Sequence, residues 1–311
     1  MAPNPFEIAV PKADLDRLHQ KLAAATFPDE LDSARWDMGV IKRLSAYWKD
    51  GFEWQEQVRK LNEQFKQFTV SVSVDGFDDL EIHYLHHISK TLGAIPLLFF
   101  HGWPGSFIEA TKLIRLLTSG DRDKPAFDVV APSLPNFGFS SARGFGLHQY
   151  AEAMHKVMIA LGYKEYGLRI NCLELPQKGS GYMIQKATRP QTLGYGLSDS
   201  PVAFLAWIYD KLHDWTDDYP WSDDEILTWV SIYVFSTAGP AASTRIYFEA
   251  SEDESVTATM SKPAPASVKV GVAQFKAEIW RHPLSLAGEL REMFGRNGKA
   301  FGVVGGRNGF E

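Results

Sequence analysis

The sequence predicts an α/β fold in which a largely parallel sheet is wound with helices on both faces, and three observations lead there. IPLLFF, residues 95–100, is a continuous apolar run of the kind buried on both faces of a sheet. FDVVAP, residues 127–132, is a second such run. Each is followed by a segment with apolar residues at helical spacing, and a further strand begins near Tyr166. Alternation of strand and helix in this order argues for parallel pairing through helical crossovers.

Along the chain, residues 1–66 read as a helical arm that packs on the core. PKADLDRLHQKLAAATF places Leu15, Leu18 and Leu22 three and four residues apart, which makes the apolar stripe of a docking helix. Residues 67–176 form the first half of the core. FTVSVSVDGFDDLEIHYLHH carries two alternating runs around Asp75-Gly76 and predicts a hairpin. After IPLLFF, Ser106 and Glu109 have the spacing of a capping box, opening a helix with Leu113, Leu116 and Leu117 on one side. GLHQYAEAMHKVMIALGY then places Tyr150, Met154, Val157 and Leu161 at helical spacing. Residues 177–250 turn to tryptophan-rich helical text, read as an inserted lid, with a second capping box at Ser222 and Glu225. Residues 251–311 return to the core: SVKVGVAQF at 267–275 is β-type, and GKAFGVVGG suggests one more strand.

Composition narrows the function classes. The 311 residues are 45% hydrophobic, enough for one large domain with a buried core. A net charge of −6 without a basic run argues against nucleic acid or an anionic membrane surface as partner. The single cysteine, Cys172, excludes an internal disulfide framework and reads as a small core side chain in a reducing compartment. No segment approaches the roughly 18 apolar residues of a membrane span, and the N-terminus lacks the pattern of a signal peptide. A cytoplasmic location is expected.

Four blocks carry a resemblance: HGWPGS at 101–106, PSLPNFGFS at 132–140, TRPQTLGYGLSDSPVAFLAWIYDKLHDWTD at 188–217 and VGVAQFKAEIW at 270–280. In this order they resemble the microsomal-type epoxide hydrolases of the α/β-hydrolase fold, and WDMGVIKRLSAYWKDGFEWQEQVRKLN is similar to that family's N-terminal arm. The resemblance implies conversion of epoxides to vicinal diols, in detoxification or natural-product metabolism, with no metal or organic cofactor. In such enzymes an aspartate on a strand-to-helix elbow opens the epoxide and forms an ester, and a histidine oriented by an acid activates the water that cleaves it. Ring opening generates an alkoxide and ester cleavage an oxyanion, so hydrogen-bond donors are needed at both. Carried over by motif, Tyr182 and Tyr247 are the lid tyrosines that hold the epoxide oxygen. Trp103 supplies a main-chain N–H to the oxyanion hole, in a turn made by His101, Gly102 and Pro104, and Glu278 is the acid. The implied partner is a small apolar or aromatic epoxide; nothing in the residues sets an oligomeric state.

The chain also departs from the pattern. Between the KEYG segment and the lid tyrosine the family places the rest of a strand, the nucleophile elbow, a helix and another strand, on the order of 30 residues. Here only Leu168 to Gly181 lie between Gly167 and Tyr182, and no aspartate occurs from Lys164 to Tyr182. A central strand-helix segment is therefore expected to be missing. Ser140, in Gly138-Phe139-Ser140-Ser141-Ala142, has elbow-like spacing but follows a loop rather than a strand, and neither Ser180 nor Cys172 has elbow flanks. In place of the family's GGHF-type segment the chain has GGRNGFE, whose Arg307 cannot act as a base, and His282 lies too close to Glu278 to replace the histidine. The alternatives to an active hydrolase are a catalytically inactive relative that binds a ligand and, more remotely, a serine esterase using Ser140.

Overall fold

The computed structural model describes residues 3–31, 37, 39–120, 124–141, 144, 146–170, 179–216 and 218–253. Two short strands bracket the sheet, of which the sequence pattern signals the second, near Tyr166, and not the first. β1 (Asn4–Phe6) lies at one edge, inside the arm read as wholly helical, and pairs antiparallel with β2 (Gln67–Val72). At three residues it is too short to show alternation. β6 (Gly167–Ile170) lies at the other edge among the described residues.

Between them stand β3 (Leu80–His87), β4 (Ile95–Phe100) and β5 (Phe127–Pro132), in the spatial order β1-β2-β3-β5-β4-β6. β2 and β3 form the expected antiparallel hairpin, with Val70 opposite Ile82. Its turn includes Gly76 at φ 82°, a left-handed backbone that glycine adopts without a Cβ clash. β3 pairs antiparallel with β5, whereas β4 is parallel to both β5 and β6. The chain leaves β4 toward β5 on one side and returns to β6 on the other. Right-handed crossovers in opposite directions place α4 (Thr111–Ser119) and α5 (Leu147–Ala160) on opposite faces. The loops after β4 and β5 therefore open at a switch point at the carboxyl ends of parallel strands, where open α/β sheets bind ligands.

The core covers both faces: Val129, Val130 and Ala131 of β5 are fully buried, as are Tyr150, Met154 and Val157 of α5. On α4 the inward residue is Ile114, with Leu113 and Leu117 beside it, whereas Leu116 is 67% exposed, contrary to the predicted stripe. The Ser106–Glu109 box also does not form. Ser106 caps a 3-10 turn (Phe107–Ala110) instead, accepting from the Ile108 N–H at 3.4 Å, so α4 begins a turn late.

The arm contributes α1 (Lys12–Ala23), α2 (Val40–Asp50) and α3 (Trp54–Gln64). Leu18 and Leu22 of α1 are buried, with Leu15 packed beside them. Leu44 and Trp48 of α2 are almost wholly buried, each worth roughly 1.5–3 kcal/mol of apolar transfer. These helices pack on the lid, which is built from α6 (Gly181–Thr188), α7 (Pro190–Asp199), α8 (Pro201–Asp214), α9 (Asp223–Val234) and α10 (Ile246–Glu252). The lid starts follow local chemistry. Pro190 and Pro201 open α7 and α8, and Ser200 accepts from the Ala203 N–H at 3.1 Å. Ser222 and Glu225 form the predicted capping box at α9. None of the described helices is long and apolar enough to cross a membrane.

Candidate active site

The turn after β4 is the floor of the site. His101 is buried; its Nε2 accepts the Leu134 N–H at 3.2 Å, so the proton resides on Nδ1, which donates to the Gly102 carbonyl at 3.0 Å. Burial pushes the imidazole down to about 4, and it is neutral at neutral pH. Gly105 N–H donates to the Gly102 carbonyl at 2.9 Å, closing the turn. A Cβ placed at Gly105 would meet the Gly102 carbonyl oxygen at 2.9 Å, a backbone atom held by the turn itself, and would displace the Glu109 carboxylate, so the turn favours glycine. Two side chains of α9 bind the turn from the lid: Trp229 Nε1–H donates to the Pro104 carbonyl at 2.7 Å, and the Tyr233 hydroxyl donates to that of Gly105. Lid and floor are thereby fixed relative to each other.

The loop after β5 is held from behind by a second buried histidine. His83 Nε2–H donates to Gln67 Oε1 at 2.9 Å, and the Ser133 hydroxyl donates to His83 Nδ1 at 2.8 Å. Gln67 Nε2 continues the chain to Asn62 Oδ1 at 2.8 Å, and Asn62 bonds both main-chain groups of Ile8. Ser140 is fully buried, donates to the Ser133 carbonyl at 2.6 Å and accepts from the His83 main-chain N–H at 3.0 Å. Its hydroxyl is committed to the loop and to backbone, in keeping with a structural role.

Above the floor, α6 carries Tyr182 and α10 carries Tyr247, brought together by packing between those two helices. Their hydroxyl oxygens are 3.4 Å apart and their rings nearly perpendicular, at 84°. Trp103 lies beneath: its ring stacks on Tyr182 at 5.1 Å between centroids and meets Tyr247 edge-on at 6.2 Å. Trp207 of α8 and Trp215 just beyond it complete an aromatic enclosure, 6.2 and 6.1 Å from Trp103. Burial raises the pKa of both phenols, Tyr182 further through the neighbouring Tyr247, so both keep their protons at neutral pH.

Sequence reasoning singled out neither Trp207 and Trp215 nor the buried lysine that lies against Trp103. Lys186, one helical turn after Tyr182, is fully buried, with Nζ 3.3 Å from the centroid of the Trp103 ring and 4.1 Å from that of Tyr247. The signal available was its i+4 spacing from Tyr182, which puts both on one helix face. Glu278, His282, Arg307 and Cys172 lie outside the described residues, as do the predicted strands beyond residue 253. Among the described residues no group of three or more His, Cys, Asp or Glu side chains is gathered as a metal would need.

Comparison with known proteins gives the family and the fold. Residues 3–110 match the model of the epoxide hydrolase N terminus, and residues 95–168 that of the alpha/beta hydrolase fold. A putative epoxide hydrolase of Stigmatella aurantiaca is 33% identical, the match covering 90% of this chain and 75% of that protein. The chain belongs to the epoxide hydrolase family. The alignment to that relative runs over 344 residues, longer than the 311-residue chain, so this family member lacks internal residues that its relative has. Epoxide hydrolase 1 of Sus scrofa is 27% identical over 90% of this chain and 79% of its own. Among solved structures, the juvenile hormone epoxide hydrolase of the silkworm Bombyx mori superposes with a TM-score of 0.82 at 27% identity, covering 97% of this chain and 87% of that one. An enantioselective mutant of the Aspergillus niger epoxide hydrolase gives 0.77 at 24% identity, covering all of this chain and 90% of that one, a likeness of fold. The α/β-hydrolase fold read from the sequence is the fold of this chain.

Proposed function

We propose that Tyr182 and Tyr247 bind the oxygen of a small apolar or aromatic epoxide above Trp103, the substrate class of the family's hydrolysis to vicinal diols. The observation that carries this is the pair of protonated hydroxyls 3.4 Å apart inside an enclosure of Trp103, Trp207 and Trp215. Two phenols so placed can donate to one oxygen and stabilise the alkoxide of ring opening. The aromatic walls favour an apolar body over a charged one. In this reading the Trp103 main-chain N–H is the oxyanion donor and Glu278 the acid.

The chain holds no aspartate from Lys164 to Tyr182, so it binds and polarises an epoxide without forming the covalent ester. The purified protein, incubated with aryl and alkyl epoxides in isotopically labelled water, is expected to yield diol only at background rate and to keep its mass apart from adducts at basic side chains. Binding of the matching diols is expected to quench tryptophan fluorescence, and Tyr182→Phe to weaken it about tenfold, the worth of one hydrogen bond near 1.4 kcal/mol. Robust diol formation would show a nucleophile beyond those named. Unchanged affinity in Tyr182→Phe would remove the tyrosine pair from the site.

A further inference from the structure

Lys186 is the one amine in the aromatic enclosure whose placement the epoxide reading leaves unused. Its Nζ is fully buried and has no hydrogen-bond partner among the described residues. It lies on the Trp103 ring, beside Tyr247, with the ring of Tyr182 5.9 Å away. The other buried amine of the lid, Lys211 on α8, is paired with Asp210 and stands 5.3 Å from the Tyr182 ring. A lysine that only packs its stem sends its ammonium to water or to a carboxylate. Among the described residues Lys186 meets no carboxylate, and its amine is buried.

We propose that Lys186 is a nucleophilic amine that captures small aryl aldehydes as an imine, with Tyr182 and Tyr247 as the proton-donating partners of the carbonyl oxygen. The inference shares the tyrosine pair with the epoxide reading but takes a different ligand and does not depend on it. Burial and the charge of Lys211 hold the Lys186 amine well below the ordinary lysine range, which leaves its lone pair available.

The direction of attack selects the ligand class. Epoxide opening needs a nucleophile on the side of the carbon opposite the departing oxygen. Lys186 stands on the same helix as Tyr182, one turn on, and against the ring of Tyr247, which in this proposal sets the amine beside the hydroxyls, on one side of the ligand. A carbonyl carbon is attacked on its face, at an obtuse angle to the C=O bond, and needs no approach from directly behind the oxygen, a path open to an amine near the donors of that oxygen. A flat aryl aldehyde can also replace the amine against the Trp103 ring.

The steps balance without a further reactant. The Nζ lone pair forms the C–N bond while the C=O π pair moves to oxygen, which takes a proton from a tyrosine. The nitrogen returns a proton to that phenolate, giving the carbinolamine. A tyrosine then protonates the hydroxyl, which leaves as water while the nitrogen lone pair closes the C=N bond, and the resulting iminium returns its N–H proton to the phenolate to give the imine.

The test is the full chain with benzaldehyde and cyanoborohydride near neutral pH, read by intact mass and peptide mapping. One benzyl group at Lys186 is expected, at least tenfold faster than labelling of exposed lysines. Lys186→Met should lose that increment while keeping its cooperative thermal transition, and Tyr182→Phe combined with Tyr247→Phe should slow labelling at least tenfold with Lys186 still present. Label confined to exposed lysines would overturn the proposal. So would labelling of Lys186→Met at the parent rate, or faster adduct formation at Lys186 with styrene oxide than with benzaldehyde. Diol binding, measured separately on the unsubstituted protein, distinguishes the two readings: aldehyde capture without diol binding removes the epoxide site alone, and diol binding without capture removes the lysine alone.

Discussion

Two buried polar centres lie near the loops after β4 and β5 and are built in opposite ways. Behind the loop after β5, His83 has both ring nitrogens bonded, within a chain that runs from Ser133 through Gln67 and Asn62 to Ile8. Lys186 is equally buried, and among the described residues its amine has no hydrogen-bond partner and lies against the rings of Trp103 and Tyr247. A satisfied polar group in a protein interior specifies structure, because its desolvation is offset by its own bonds. An unsatisfied one lowers stability, and its place in the molecule needs another explanation. The contrast separates the part of the site that holds geometry from the part available for chemistry.

The sharpest way to break this contrast is to unpair the histidine side. His83→Leu strands the Ser133 hydroxyl and Gln67 Oε1 in the interior, and a loss of about 4 kcal/mol is expected by denaturant unfolding. A change below about 1 kcal/mol would mean that the network is ornamental.

Substituting the lysine should act in the opposite direction. Lys186→Met keeps the stem and removes an amine that has no hydrogen-bond partner among the described residues, for a gain of about 2 kcal/mol at pH 7. The gain has a pH signature. Burial and the charge of Lys211 hold the amine of the folded chain well below the ordinary value of 10.5, at which the unfolded chain exchanges its proton. The unfolded state therefore binds more protons, the parent gains stability as pH rises toward 10.5, and the advantage of Lys186→Met narrows over that range. Thermal unfolding of both proteins at pH 7 and pH 9.5 measures it.

The histidines sharpen the comparison from the acid side. Burial holds His101 to about 4 and His83 to about 3, against 6.5 in the unfolded chain. As pH falls below 6.5 the unfolded state takes protons that the folded state refuses. Each histidine then lowers stability by up to about 1.4 kcal/mol per pH unit, until its folded value is reached. His101→Gln should remove about half of that slope between pH 6 and 4.

The smallest effect belongs to the surface. Arg43 of the arm pairs with Asp223 at the start of α9, and both are partly exposed. Arg43→Ala is expected to change stability by less than about 1 kcal/mol, and by less again at high salt.

Much of this was legible in the chain because it depends on neighbours in sequence. The Asp75-Gly76 turn, the buried runs of β4 and β5 and the Ser222 capping box each follow from side-chain periodicity or from hydrogen bonds spanning a few residues. Their motifs, in order, also carried the family and its fold. Even so, local spacing is not sufficient: Ser106 and Glu109 match a capping box as well as Ser222 and Glu225 do, yet the first pair meets a tight glycine turn and opens a 3-10 segment.

Tertiary structure alone decided which faces turn inward and what they meet. β1 exists because β2 offers it an edge, and Leu116 is exposed because α4 turns Ile114 to the sheet. Lysine is among the residues least often fully buried, so the helical spacing of Lys186 from Tyr182 could name a shared face but not its direction. That direction depends on α10 packing against α6 and on Trp103 rising from the turn after β4, contacts between residues 60 to more than 80 positions apart in the chain. Burial is a property of the assembled surfaces, and no local pattern encodes it.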